Sequence, residues 1–160
     1  METISVHPTP RPALLTVLCV LTFIGSGMGV MGNLMSMFIA PFMDFFEPSM
    51  FDEAFNQLGN NPGDKFVEEM LNVAILAMEN IFTISLLKFI FSALSIVGAI
   101  YMFKMKKIGF YIYIAAQVGF LAIGPITLGW NLLVSMSIFF SGFFSLLFIA
   151  LYAINLKHMS

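Results

Sequence analysis

Residues 82–123 read FTISLLKFIFSALSIVGAIYMFKMKKIGFYIYIAAQVGFLAI. Two apolar runs, 82–103 and 108–123, flank the cluster Lys104, Lys106 and Lys107. A helix needs about 20 apolar residues to cross ~30 Å of hydrocarbon at 1.5 Å per residue. The two runs therefore read as a pair of membrane-spanning helices, and lysines in the short connection hold that connection in the cytoplasm. Gly124-Pro125 is expected to break the second run.

The same reading extends in both directions. Upstream, residues 13–40 form a longer apolar run that begins just after Arg11; Pro8, Pro10 and Pro12 keep the preceding tail extended, and Pro41 is expected to close the helix. Downstream, Gly129-Trp130-Asn131 makes a turn into a fourth run, 132–154. The 160 residues are 59% hydrophobic and 10% charged, against about 25% charged in soluble domains. So few polar side chains cannot cover a water-soluble surface, which excludes soluble enzyme folds. A net charge of −2 without a basic patch excludes nucleic acid as a partner. The expected fold class is an all-α membrane protein, a four-transmembrane-helix bundle that forms one domain over 1–160.

Charge sets the orientation. Arg11, Lys104, Lys106, Lys107 and Lys157 all fall in the N-terminal tail, the second-to-third-span connection or the C-terminal tail, so both termini are expected to be cytoplasmic. Asp44, Glu47, Asp52, Glu53, Asp64, Glu68, Glu69 and Glu79 fall in segment 41–81, where Lys65 is the one basic residue, so this segment is expected outside. Tyr101, Tyr111, Tyr113 and Tyr152 land at expected inner-interface depths and Trp130 at the outer one, as in aromatic belts. A cleavable signal peptide competes for the first run, but no A-x-A-like site follows it and the run exceeds signal-peptide length. The run is read as an uncleaved span. No lipidation box or retention signal is present.

The acidic segment carries helix signals. Ser49 with Asp52 resembles a capping box, Phe51, Ala54, Phe55 and Leu58 share a face, and Gly59 suits the residue after a helix. After the turn Asn60-Asn61-Pro62-Gly63, Asp64 is expected to cap a second helix. Its polar stripe is Lys65, Glu68, Glu69, Asn72 and Glu79, opposed by Phe66, Met70, Val73, Ala74 and Ala77. That helix either lies on the membrane surface or runs unbroken into the next span; nothing between Glu79 and Thr83 breaks it, so the continuous form is expected. A solvated lid accounts for the acids without a ligand, and no alternating calcium loop is present.

Inside the spans, Lys88 is the one formal charge. It lies 15 residues before Phe103, ~22 Å above the inner interface and roughly 8 Å below the outer one, from where it either snorkels outward or meets a partner. Ser85, Ser92, Ser95 and Ala99 share its helical face. Lys88, Ser85, Ser92 and Ser95, with Asn33 from the first span, form the candidate ligand-binding set; Asp44 and Glu47 are candidate counter-ions. Gly25, Gly29, Gly32 and Ser36 form a small-residue stripe for helix packing, with a similar stripe at Ala115, Gly119 and Ala122 and another at Ser135, Gly142 and Ser145. Asn33, Gln117 and Asn131 read first as amides joining helices. The 13 Met and 19 Phe suit either a plastic pocket or a lipid-facing surface.

No catalytic constellation is visible. His7 and His158 lie in the tails, Cys19 has no histidine or acid near it in its span, and no phosphate loop is present. No catalytic residue, metal ligand or cofactor is expected. The stretches Arg11–Cys19, Phe23–Gly27 and Met102–Tyr113 resemble small uncharacterised four-span bacterial inner-membrane proteins. That resemblance implies a multi-pass location in the bacterial inner membrane and no activity. Two functions follow as expectations: an accessory, scaffold or oligomer-forming subunit whose partners are the lipid bilayer and another copy or membrane protein, or an outward-facing lipid or small-molecule binding protein or minimal transporter with a cavity near Lys88. Four spans without a visible inverted repeat make binding the stronger form of the second.

Overall fold

The computed structural model describes residues 12–43, 52–59 and 61–159, and among these every regular element is helical. The order is α1 (Ala13–Met43), α2 (Asp52–Asn56), α3 (Pro62–Glu79), α4 (Ile81–Phe103), α5 (Ile108–Leu128) and α6 (Leu132–Asn155), followed by a 3-10 turn at Leu156–His158. Helices α1, α4, α5 and α6 are each long and apolar enough to cross a membrane. They pack antiparallel in chain order, with α4 between α1 and α5.

Two helix ends differ from expectation. Pro41 lies inside α1, which continues to Met43, and Pro125 lies inside α5, which continues to Leu128. One proline removes one backbone donor, and each helix runs on only a few residues past it, two beyond Pro41 and three beyond Pro125. What ends α5 is Gly129 at φ +71°, a conformation few other residues accept. Between α4 and α5 the lysine turn has a different device. Lys106 N–H donates to the Tyr101 carbonyl at 3.0 Å and Met105 N–H to Met102 at 2.9 Å, with Met105 at φ +61°. That is a Schellman closure with methionine where glycine is usual, and the Met105 side chain packs on the core in return.

The core sits at one end. Leu15, Leu18, Cys19, Met102, Phe110, Tyr113, Tyr152 and Met159 form its buried cluster, all close to the lysine turn. Tyr113 and Tyr152 therefore do not form an interfacial belt as the sequence suggested. Their rings stack edge to face at 5.1 Å, and the Tyr152 hydroxyl shares a 2.8 Å hydrogen bond with Thr22 of α1. A phenol with a partner inside the bundle has no need of the headgroup layer. Tyr101, Tyr111 and Trp130 are exposed.

Helices α4 and α5 meet backbone to backbone. A Cβ on Gly109 would stand 2.5 Å from the Gly98 carbonyl oxygen and the Met102 nitrogen, and one on Gly98 would stand 2.9 Å from the Gly109 oxygen. Along the same interface Gly119 receives the Phe91 ring. Of the stripe expected on the third span, Gly119 is in contact but Ala115 is exposed; the buried small residue is Ala116.

The segment before α4 is helical but not continuous with it. Asn80 (φ −104°, ψ 14°) interrupts the two helices, its side-chain amide and its backbone N–H both turned back to the Leu76 carbonyl at 2.9 and 3.1 Å. Asparagine competes with helical hydrogen bonding through such local contacts, which is why a chain with no proline or glycine here still bends. The N-cap of α3 is Asn61, not Asp64; Pro62 occupies the first turn and Asp64 accepts from the Asn61 amide at 3.1 Å. Helix α2 is present, while Ser49 of its expected capping box lies outside the described residues.

Candidate functional site at Lys88

From Asn80, α3 folds over the ends of the spans and touches α1, α4, α5 and α6. One contact anchors it. Glu69 accepts a hydrogen bond from the Leu132 backbone N–H at 2.5 Å, and Asn131 accepts from Val134 N–H at 2.8 Å, so α6 begins with two of its open donors satisfied. Four unpaired N–H groups and the positive end of the helix dipole draw a carboxylate to that place. Glu69 thus leaves the polar stripe assigned from sequence and turns toward the bundle, while Phe66 and Met70, from the face opposing that stripe, are exposed.

Under α3 the bundle is open. The α4 face carrying Ser85, Ser92, Ser95 and Ala99 is buried against α1: the Cys19 thiol lies 3.7 Å from the Ala99 carbonyl oxygen, and a Cβ on Gly29 would stand only 3.1 Å from the Ser92 hydroxyl. Lys88, on the same face, is half-buried and borders two cavities of mixed lining. One, about 330 Å³, gathers Lys88, Ser92, Ser95 and Asn33 with Gly25, Ser26, Gly29, Gln117 and Phe120. The other, about 260 Å³, lies nearer α3 and is lined by Lys88, Ser85, Asn33 and Ser36 with Ala77, Met78, Ile81 and Ile84. The five residues singled out from sequence for ligand binding therefore surround adjoining spaces. The larger volume falls at the lower end of small-molecule sites and the smaller just below it.

The small-residue stripe of α1 divides by use. Gly29 lets Ser92 approach, whereas a Cβ at Gly25 or Gly32 would meet nothing within 4 Å, and Ser36 returns its hydroxyl to the Gly32 carbonyl at 3.0 Å. Gly25 keeps a cavity wall open. Gln117, read from sequence as a helix-joining amide, is one: it accepts from Ser145 at 2.7 Å, tying α5 to α6, and it also lines the larger cavity. Ser26 and Phe120 are cavity residues that sequence reasoning passed over, since neither stands out from the apolar run around it.

The electrostatics turn on one cation. Lys88 has no hydrogen bond or ion pair with any described residue, and no buried polar side-chain atom among them lacks a partner, so its ammonium reaches open space. The candidate counter-ions Asp44 and Glu47 lie outside the described residues. A lysine at membrane depth is costly unless something polar meets it, so the cavities stand as the place where an anion or water would do so. Among the described residues no three His, Cys, Asp or Glu side chains gather as a metal site. No family model, no curated protein and no solved structure matches this chain.

Proposed function

We propose that this chain is a non-catalytic, multi-pass membrane protein that holds an anionic ligand in the cavities at Lys88. The observation that carries the reading is the half-buried Lys88, which has no partner among the described residues and borders two spaces under α3. Both termini and the lysine turn face the cytoplasm, and the acidic segment with α3 faces outward; the support is the distribution of Lys and Arg against Asp and Glu along the chain. The cavities then open on the outer side. A bacterial inner membrane is the location in keeping with the resemblance of the first span and the lysine turn to small bacterial four-span proteins.

A second reading, an accessory or scaffold subunit that assembles with another copy or another membrane protein, draws on Gly27 and Gly32 of α1, where a Cβ would meet nothing within 4 Å and a second helix has room to come close. One experiment separates the two. Native mass spectrometry of protein released from membranes should show single chains carrying an anionic adduct, and Lys88→Met should lose both the adduct and the rise in melting temperature that anionic lipid gives the parent. The loss is expected at about 1–3 kcal/mol, as for a partly buried charge and its partner. A stable multimer without adduct, unaffected by Lys88→Met, transfers the case to the scaffold. A variant neutral with and without anionic lipid ends the ligand reading.

A further inference from the structure

Lys88 also lines a third space. A crevice of about 320 Å³ lies between α5 and α6, with Lys88 and Ile84 at its α4 side, Ile123, Val134 and Ile138 as apolar wall, and Val73 of α3 above. Two more of its lining residues, Phe120 and Ser137, are exposed, so the crevice opens through the side of the bundle. From Leu133 to Ser141 it follows α6 over nine residues, about 12 Å at helical rise. Phe91 packs on Gly119, so Lys88, one turn nearer α3, enters the crevice from α4 at about the level of Ile123; side chains on α4 lean toward its N-terminus, the α3 end, which carries the ammonium away from Phe120 and Ser141 at the lower end. We infer that the ligand is a membrane amphiphile, a single anionic head held by Lys88 with its acyl chain laid along the α5–α6 crevice.

This rests on the ligand-holding reading above and adds the chain, the head charge and the route. Charge complementarity selects an anionic head, because the crevice offers one cation, Lys88, and no acidic side chain, with the hydroxyls of Thr127, Ser137 and Ser141 as its other polar groups. The route favours lipid over a free anion from water: α3, which covers this end, carries Asp64, Glu68, Glu69 and Glu79 against Lys65 alone, and that field repels small anions approaching from its side. An amphiphile arrives instead from the bilayer, through the side opening, with its chain already in hydrocarbon.

The test is titration of carboxyl-labelled palmitate into the full chain in phosphatidylcholine nanodiscs, beside hexadecanol and acetate. Saturable binding of palmitate is expected, with hexadecanol and acetate each weaker by about tenfold or more. Lys88→Met, which removes the head contact, and Ser137→Trp, which fills the crevice from an exposed position, should each weaken palmitate by about tenfold, while Lys88→Arg retains it. Unchanged melting temperatures of the unliganded variants mark these as losses of binding and not of fold. Acetate bound as tightly as palmitate, with Ser137→Trp indifferent, overturns the amphiphile but leaves an anion site at Lys88. Palmitate binding indifferent to Lys88→Met overturns the inference, and no saturable binding of any of the three overturns both it and the reading beneath it.

Discussion

Gly109 and Gly27 are both glycines in apolar helices, yet the structure asks opposite things of them. The missing Cβ at Gly109 is what lets α5 lie on the α4 backbone, and the atoms it would strike, Gly98 O and Met102 N, are main chain and cannot rotate away. Gly109→Ala should lower stability by about 1–3 kcal/mol, the usual cost of overpacking, and a thermal melt in mild detergent reads it. At Gly27 nothing lies within 4 Å, so Gly27→Ala should be neutral or stabilising by about 0.5–1 kcal/mol through backbone entropy alone. Equal effects at the two sites would contradict the α4–α5 contact. Lys88 differs from both, since its neighbours are spaces and its effect depends on what fills them.

Helix α3 has no buried residue, and its place over the bundle is held by few contacts, with Asn80 as the joint at one end and the Glu69–Leu132 bond farther back along it. Loss of a cap of this kind costs about 0.5–2 kcal/mol. Glu69→Ala should therefore lower the melting temperature modestly and speed amide exchange at residues 132–134, while Glu69→Gln, which keeps an acceptor, should do less. Unchanged exchange at Leu132 in Glu69→Ala would show that α6 begins without this carboxylate. Because Val73, Ala77 and Met78 of α3 line the spaces beside Lys88, release of this bond should also widen access to them.

The four long helices are packed unevenly. Leu15, Met102, Phe110, Tyr113 and Tyr152 close the end near the lysine turn, whereas the end under α3 keeps its cavities, and much of α6, from Phe139 to Phe144, presents phenylalanine outward. Aromatic rings face hydrocarbon without penalty, so the exposed α6 surface is compatible with lipid around it. The proposed orientation makes a direct prediction for the whole chain. With Cys19 replaced by Ala, a cysteine introduced as Asn60→Cys should react with an impermeant maleimide from outside intact cells, and one introduced as Lys106→Cys should react only after the membrane is opened. The reverse pattern would invert the topology and turn the Lys88 cavities to the cytoplasm.

The four spans and their order were legible because twenty-residue apolar runs have few other uses, and the serine face of α4 was legible because 3.6-residue periodicity places Ser85, Lys88, Ser92 and Ser95 together. Local pattern went no further than its own helix. It could not tell that Pro125 would be carried within α5, that Asn80 would bend the chain, or that Glu69 would turn inward, since each outcome depends on partners distant in sequence. Tyr113 and Tyr152 looked like interface anchors until Thr22, 130 residues before Tyr152, supplied a hydrogen bond inside the bundle. The cavities at Lys88 and the α5–α6 crevice are spaces left between helices, and a space has no residue type to mark it. Composition and periodicity specify which faces are apolar; how closely those faces meet is decided by the summed fit of side chains from several helices.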